Sequence, residues 1–398
     1  MQQIPSNSQS KGTQASVNPG MRFNHVQIGK NMLTEIKERL NSWQEEHGRK
    51  LVLMEVCGTH TVALSKSGIR DALRPWVDLR SGPGCPVCVT DQADIDYMLE
   101  LSTLPGVTVT TFGDMMRVPG SRGDLARAKA NGADVKVVYS PLEAVEIAKS
   151  EPQRHVVFMG IGFETTVPTI AAALERAEAE NLDNFSVYAA HKLTAPAVET
   201  LLQDPELKLD GLILPGHVSV ITGRSYFSFV ADQYALPAAI TGFDALDILA
   251  GLKDILDQYS QLTPRVTNCY PRVVRENGNR KAWGLVERFF TGDTVKWRGL
   301  GEIPESGLVL RPPYARFDAS KRFPLTLPAS HTPKGCLCGN VLKGKNLPFD
   351  CRHFAVSCTP VHPVGPCMVS GEGTCSTYYK YERRDGSGYD THTALAAE

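Results

Sequence analysis

The residues of this sequence best suited to chemistry are its ten cysteines, and nine of them fall into three groups. Cys57 lies in MEVCGTHT, after an apolar β-rich run and before a helical stretch. This position predicts an exposed cysteine whose thiolate is favoured by helix N-terminal amides, and which could act as a nucleophile or a metal ligand. His60 could serve as a base or a second ligand. An inert buried Cys57 and a helix-capping His60 are the alternatives.

The second group is the CxxC of Cys85 and Cys88 in SGPGCPVCVT (81–90). Two sulfurs at positions i and i+3 of an opening helical turn can close a reversible disulfide or share one metal. A zinc half-site is the alternative, but it needs a second pair of ligands, and none is suitably spaced nearby. The sequence therefore predicts redox or iron chemistry at this pair.

The third group is a run of six cysteines near the C-terminus, in KGCLCGN (334–340), DCRHFAVSC (350–358) and GPCMVSGEGTC (365–375). Four of them, with the spacing C-x14-C-x6-C-x16-C, suit a [4Fe–4S] cube: Cys336, Cys351, Cys358 and Cys375. A structural zinc site is the alternative, although zinc ribbons usually have two tight C-x2-4-C pairs, which this run lacks. Cys338 and Cys367 are additional, and Cys338 leaves the identity of the first ligand open.

Three polar loop residues are weaker candidates. Glu164 lies in GIGFETTVPT, which is glycine-rich but matches no phosphate-binding pattern. Glu164 could be a proton acceptor facing the thiol cleft, or an acid that stabilises a helix N-terminus. His217 in PGHVS and Asp114 in TFGDMM occupy comparable loops, and each alone is an ordinary polar residue.

These loops follow predicted strands, because residues 51–251 alternate β-rich apolar runs with amphipathic helical stretches. The predicted strands are 51–56, 107–112, 135–140, 155–160, 185–190, 211–216 and 237–242, with a weaker one at 76–79. The pattern predicts an α/β protein with two parallel-sheet α/β domains and a C-terminal cysteine-rich iron–sulfur domain. In parallel sheets of this kind the loops after the strands build the site.

The predicted organisation has four parts. Residues 1–24 are expected to be a disordered tail because they are polar. The first α/β domain, with the CGTH and CPVC motifs, spans 25–149, and the second, with GFETT, spans 150–258. A seam is predicted at 150–155, and the iron–sulfur domain spans 259–398.

Composition excludes several classes of function. Lysine and arginine total 42 against 43 aspartates and glutamates, so no nucleic acid partner is expected. No apolar run approaches the roughly 20 residues of a membrane span. With no secretory signal, a cytoplasmic location is expected, where reducing conditions favour metal or redox cysteines over structural disulfides.

MEVCGTHT, GPGCPVCVT, GFETT and the C-terminal cysteine series, in this order, resemble the HypD family over residues 25–380. The resemblance implies two α/β domains, a [4Fe–4S] domain and a complex with a small HypC-type chaperone. It implies that the Fe(CN)2(CO) group of [NiFe]-hydrogenases is assembled on that complex. A HypE-type protein is expected to deliver cyanide before transfer to the hydrogenase large subunit.

The resemblance also implies residue roles. Cys57 is the expected iron-site cysteine, and Cys85 and Cys88 are the expected redox-active pair at the same cleft, where they could also bind iron. The expected cluster ligands are Cys336, Cys351, Cys358 and Cys375. The sequence thus predicts a redox-active metal-assembly scaffold rather than a conventional enzyme. An iron–sulfur-linked thiol–disulfide oxidoreductase and a zinc-stabilised binding module are the alternatives.

Overall fold

The computed structural model describes residues 19–382 of the chain. The first helix, α1 (Pro19–His47), begins inside the predicted tail, so a tail reaching residue 24 is wrong. The rest of that tail, residues 1–18, lies outside the described residues, as do residues 383–398 of the predicted iron–sulfur domain.

The strands confirm the predicted alternation, since all eight predicted strands are present. In chain order the strands are β1 (Leu51–Glu55), β2 (Val77–Ser81), β3 (Val107–Thr111), β4 (Val135–Val137), β5 (His155–Gly160), β6 (Phe185–Ala189), β7 (Gly211–Pro215), β8 (Ala238–Thr241), β9 (Val266–Asn268), β10 (Phe290–Trp297) and β11 (Gly301–Leu310).

The helices that follow α1 are α2 (Gly58–Lys66), α3 (Ile69–Leu73), α4 (Pro86–Val89), α5 (Gln92–Ser102), α6 (Leu125–Ala130), α7 (Pro141–Ser150), α8 (Val167–Ala179), α9 (Thr194–Leu202), α10 (Gly216–Thr222), α11 (Phe229–Asp232), α12 (Ala245–Gln261), α13 (Arg280–Phe289), α14 (Ala319–Arg322), α15 (Cys338–Leu342) and α16 (Thr374–Tyr381). Among residues 19–382, no helix is both long enough and apolar enough to cross a lipid bilayer.

Two parallel sheets form the body of the protein, as predicted, but they do not divide at residues 150–155. One sheet has the order β2-β1-β7-β8-β9, and the other has the order β4-β3-β5-β6. The predicted seam is wrong because β5, which begins at His155, pairs with β3, where Val107 lies opposite His155. The chain begins one sheet, builds the whole second sheet, and returns at β7 to pair with β1.

Residues 259–330 belong to the body of the protein rather than to a separate cysteine-rich region. β9 extends the five-stranded sheet by pairing with β8. The antiparallel hairpin of β10 and β11 buries Phe290 and Leu308 against the core of the four-stranded sheet, which includes Phe158. The predicted boundary at 259 is therefore wrong, because the apolar faces of these elements are buried against the sheets.

The core of the four-stranded sheet contains a histidine that is expected to make stability depend on pH. His191 is fully buried, its two ring nitrogens have no hydrogen-bond partner among the described residues, and burial lowers its pKa to about 3. Below about pH 6.5 the imidazole of His191 binds a proton in the unfolded chain but not in the folded protein. Stability should therefore fall on acidification, by up to about 1.4 kcal/mol per pH unit from this residue.

Urea unfolding between about pH 7 and about pH 5 would measure this slope. His191→Leu should unfold with a shallower pH dependence than the wild type, whereas the same change at the exposed His331 should leave the slope unchanged. Equal slopes for the wild type and His191→Leu would contradict the prediction.

Candidate functional site

The turn that carries Cys57 connects the C-terminal end of β1 to α2. Cys57 has an extended backbone and is the residue immediately before the helix. Its backbone N–H donates to Glu55 Oε2 at 3.1 Å, and the Thr61 hydroxyl donates to Glu55 Oε1 at 2.6 Å. The buried carboxylate of Glu55 therefore ties the end of the strand to the first turn of the helix.

Cys57 itself differs from the sequence expectation, because it is buried, with 8% of its surface exposed. Burial and, to a smaller extent, the nearby Glu372 carboxylate raise the pKa of its thiol to about 12. The backbone N–H groups of His60 and Thr59 act in the opposite direction but have a smaller effect. The prediction of an exposed, thiolate-favoured cysteine is therefore wrong, and a metal ion bound here must displace the thiol proton.

His60 is a buried and neutral imidazole at this turn. Its Nε2 lies 2.8 Å from Thr241 Oγ1 and 3.0 Å from the Gly242 carbonyl oxygen. Its Nδ1 has no partner among the described residues, and burial lowers the pKa of His60 to about 4. Phe243 packs against His60 and also stacks on His217, with a centroid distance of 4.0 Å. The structure thus brings His217, an ordinary loop residue by sequence, to the same site.

The CPVC segment lies directly against the Cys57 turn. Gly58 N–H donates to the Gly84 carbonyl at 2.9 Å, and Gly84 packs so closely that a Cβ there would lie 2.4 Å from Cys57 Cα. Cys85 and Cys88 form a disulfide across α4, with their Cα atoms 5.3 Å apart. The structure therefore brings Cys57 and the CxxC pair into one site.

Gly84→Ala is expected to destabilise this site. The new methyl group would overlap the Cys57 backbone, so one of the two segments must shift, at a cost of about 1–3 kcal/mol. Gly371→Ala is the matched control, because a Cβ at Gly371 would meet nothing within 4 Å. Chemical unfolding of the two variants measures the difference, and equal stabilities would refute the close packing of Gly84 on Cys57.

All six C-terminal cysteines line one small cavity, together with Val341, Phe354, Gly365 and Met368. The lining contains no histidine and no carboxylate, so its possible ligands are sulfur alone. This set of donors fits an iron–sulfur cluster, and it also fits a four-cysteine zinc site. Within residues 19–382 no group of three or more His, Cys, Asp or Glu side chains is arranged to hold one metal ion. A [4Fe–4S] cube does not need such a group, because each of its four thiolates binds a different iron atom and the thiolates therefore lie further apart than the ligands of a single metal ion.

The six cysteines contact two apolar cores, and Cys375 packs against both. Cys338 and Cys367 share the core that contains Cys85 and Cys88. Cys351 and Cys358 belong to a separate cluster with Phe354, Met368 and Tyr378. Cys338 and Cys367, which the sequence left unassigned, are thus buried members of the core that contains the CPVC disulfide, and the partly buried Cys336 and Cys375 pack against the same core.

Arg298 is a residue of this site that the sequence did not indicate. It lies in the turn between β10 and β11, where its backbone N–H donates to the Val89 carbonyl at 2.8 Å and its Nε donates to the Thr90 carbonyl at 3.0 Å. Its side chain is almost fully buried. The pKa values of the Cys336 and Cys338 thiols are raised overall by their sulfur neighbours and by burial, and the charge of Arg298 offsets only a small part of that rise. No motif surrounds it, so only the fold reveals it.

The C-terminal segment also clamps the Cys57 turn. Thr59 Oγ1 donates to Glu372 Oε1 at 2.6 Å. Arg70, which is buried, lies 3.8 Å from a Glu55 carboxylate oxygen and 3.6 Å from a Glu382 carboxylate oxygen. These contacts fasten the cysteine-rich segment to the strand and helix that present Cys57.

Glu164 is buried where the GFETT loop meets the N-terminus of α9. Its Oε1 accepts hydrogen bonds from Thr194 N–H at 2.6 Å and from the Tyr226 hydroxyl at 2.8 Å. Burial raises the pKa of Glu164. Among the described residues none of its hydrogen bonds is to Cys57 or to the CPVC pair. These contacts favour the interpretation of a helix-terminal acid, and its action as a proton acceptor stays a prediction.

Comparison with known proteins agrees with this geometry. The family model of HypD, described as the hydrogenase formation hypA family, matches residues 28–382. The hydrogenase maturation factor HypD of Rhizobium leguminosarum bv. viciae is 44% identical over 84% of this chain and 89% of its own length. HypD of Escherichia coli K12 is 40% identical over 89% of this chain and 95% of its own.

A more distant organism supplies a similar match. A putative hydrogenase expression/formation protein of Methanocaldococcus jannaschii is 42% identical over 84% of this chain and 93% of its own length. The family match covers the Cys57 turn, the CPVC segment and the six-cysteine cavity. The chain belongs to the HypD family.

Proposed function

We propose that this protein is a hydrogenase maturation factor and a scaffold on which the Fe(CN)2(CO) group of the [NiFe]-hydrogenase active site is assembled. The observation that carries the proposal is the contact between the Cys57 turn, the CPVC disulfide and the six-cysteine segment. The names of the relatives support the maturation role. Assembly of iron on Cys57 is the further step that the geometry favours.

In this account Cys57 binds the iron being assembled, which is the cargo of the scaffold. A thiolate is a soft ligand suited to low-spin iron, and the proton of the buried thiol leaves when iron binds. His60 stays neutral near neutral pH because of its burial, so it adds no positive charge beside the metal. Its Nδ1, which has no hydrogen-bond partner within residues 19–382, is available to orient a ligand or a water molecule.

Cys336, Cys351, Cys358 and Cys375 would hold a [4Fe–4S] cluster, which would supply one-electron transfer. The chain's own thiols then carry the two-electron chemistry. Reduction of the Cys85–Cys88 disulfide takes two electrons and two protons and yields two thiols beside Cys57. Cys338 and Cys367 pack in the core shared with this disulfide, and the buried Arg298 donates a hydrogen bond to the Thr90 carbonyl, two residues after Cys88.

The proposed partners are those that membership of the HypD family implies. A HypC-type chaperone would dock over Cys57 and supply a second thiolate to the same iron. A HypE-type protein would deliver cyanide, and the hydrogenase large subunit would receive the finished group. All of these steps are proposed to take place in the cytoplasm.

A thiol–disulfide oxidoreductase linked to an iron–sulfur cluster is the second candidate. The observation that favours it is the formed disulfide in the core next to the cysteine cavity. The two functions make different demands on Cys57. The assembly scaffold needs it as an iron ligand, whereas the oxidoreductase does not need it.

Complementation tests the proposed function. A bacterium that has a [NiFe]-hydrogenase but lacks its own HypD-family protein should regain hydrogenase activity when it produces this chain. Cys85→Ser and Cys88→Ser should each abolish that activity, whereas Cys269→Ala, outside every motif, should retain it. Full activity in both CPVC variants would contradict the redox function of the pair.

A further inference from the structure

The loop that contains Cys358 presents two apolar side chains to solvent. Val356 is 80% exposed and Val361 is 75% exposed. Cys358 lies between them in the sequence and is itself buried. Two exposed apolar side chains that flank a buried metal-ligand candidate in the sequence are a feature that the assembly function leaves unexplained.

Three exposed cations border this pair. Arg117 donates to the Pro360 carbonyl at 3.1 Å, and Arg352 donates to the Lys334 carbonyl at 3.2 Å. We call Arg117, Lys334, Arg352, Val356 and Val361 the outer surface. Within residues 19–382, none of its three cations forms an ion pair, whereas many other surface arginines and lysines do.

Asp350, the acidic residue nearest to Arg352 in the sequence, does not neutralise the charge of the outer surface. Asp350 accepts hydrogen bonds from the Leu347 N–H at 2.8 Å and the Asn346 side-chain amide at 3.2 Å, so its carboxylate is engaged in its own turn. The exposed His362 adds a further polar group. An apolar centre with an unpaired basic rim is complementary to an acidic protein surface.

The position of the disulfide explains why such a partner would dock here. Cys85 and Cys88 are 3% and 0% exposed, so a protein-sized reductant cannot touch either sulfur. Cys351 precedes Arg352 directly, and Cys358 lies two residues after Val356. Cys351 and Cys358 also line the cysteine cavity, so a donor that docks on the outer surface lies next to two ligands of the proposed cluster.

Given the cluster of the proposed function, we propose that the outer surface is the docking site of an acidic electron-transfer protein carrying its own one-electron centre. Each docking delivers one electron and releases an oxidised donor. Two such events, with two protons from solvent, convert the Cys85–Cys88 disulfide into two thiols. Weak electron-transfer encounters bury little area, so a compact patch of this kind is sufficient.

The test uses the full-length protein purified anaerobically, with a reduced acidic [2Fe–2S] ferredoxin as the probe. Binding is measured by fluorescence anisotropy and reduction by stopped-flow absorbance, each at about 0.05 M and about 0.5 M salt. Lys334→Glu and Val361→Glu should each weaken binding and slow reduction by about tenfold at low salt. Lys281→Glu, the same charge change on exposed α13, should have no effect on either quantity.

Dithionite, a small reductant that needs no docking surface, should reduce the wild type and all three variants equally. Ferredoxin binding that is independent of salt and equal in the wild type, Lys334→Glu and Val361→Glu would overturn the docking site. Loss of binding to a HypC-type protein, with ferredoxin binding unchanged, would overturn it in favour of another partner. A colourless wild-type protein would instead contradict the proposed cluster. The anisotropy measurement would still decide whether the outer surface binds ferredoxin.

Discussion

Cys358→Ala is expected to lose the iron of the cluster and to loosen the segment around residues 334–382. The cavity contains only sulfur donors, and a cube that loses one thiolate is easily hydrolysed. The broad absorbance at about 400 nm should disappear, and bound iron should fall by about four atoms per chain. Anaerobic absorbance and elemental analysis measure both effects.

Cys269→Ala is the control for this change. Cys269 is a partly buried cysteine outside the cavity, and its backbone N–H donates to the Ile240 carbonyl whatever its side chain. Its replacement should leave colour and iron content unchanged. Full iron content in Cys358→Ala would show that Cys358 is not a cluster ligand. Zinc instead of iron in the wild-type protein would show that the cavity is a zinc site and not an iron–sulfur site.

Cys57→Ser is expected to keep the cluster and to lose the assembled iron. Serine has nearly the same size, so the packing on Gly84 survives, but its hydroxyl stays protonated near neutral pH and is a poor ligand for soft iron. The complex with a HypC-type chaperone should show no cyanide or carbonyl infrared bands, and hydrogenase activity should be abolished. Undiminished bands would show that the iron is bound elsewhere.

The CPVC variants separate ligation from redox chemistry. Cys85→Ser and Cys88→Ser also prevent formation of the disulfide, so maturation should fail at the electron step. Some iron should still bind at Cys57 in these variants. Identical loss of bound iron in Cys57→Ser and in both CPVC variants would contradict separate functions for the two groups.

Much of the fold was predictable from sequence because each strand is a short β-rich run bounded by turns. β3 and β7, for example, are buried at every position, as expected of parallel strands covered on both faces. The order of the strands was not predictable. The pairing of β1 with both β2 and β7 depends on long-range contacts that no local pattern encodes.

The candidate site, like the fold, was predictable from sequence only in part. The motifs identified Cys57 and the CPVC pair, since glycine and cysteine at fixed spacing imply a turn that presents sulfur. They did not indicate Glu372 or Arg298, because an isolated charged residue carries no signal until the fold places it beside a thiol. They also misjudged the Cys57 thiol, because the cost of burial exceeds the benefit of the helix N-terminus.

Infrared spectroscopy of the wild-type protein, purified anaerobically with a HypC-type chaperone, tests the assembly account most directly. The account predicts cyanide and carbonyl bands together with one iron atom beyond those of the cluster. A brown complex with only the iron of the cluster, about four atoms, and without either band would contradict assembly on this chain and favour the oxidoreductase.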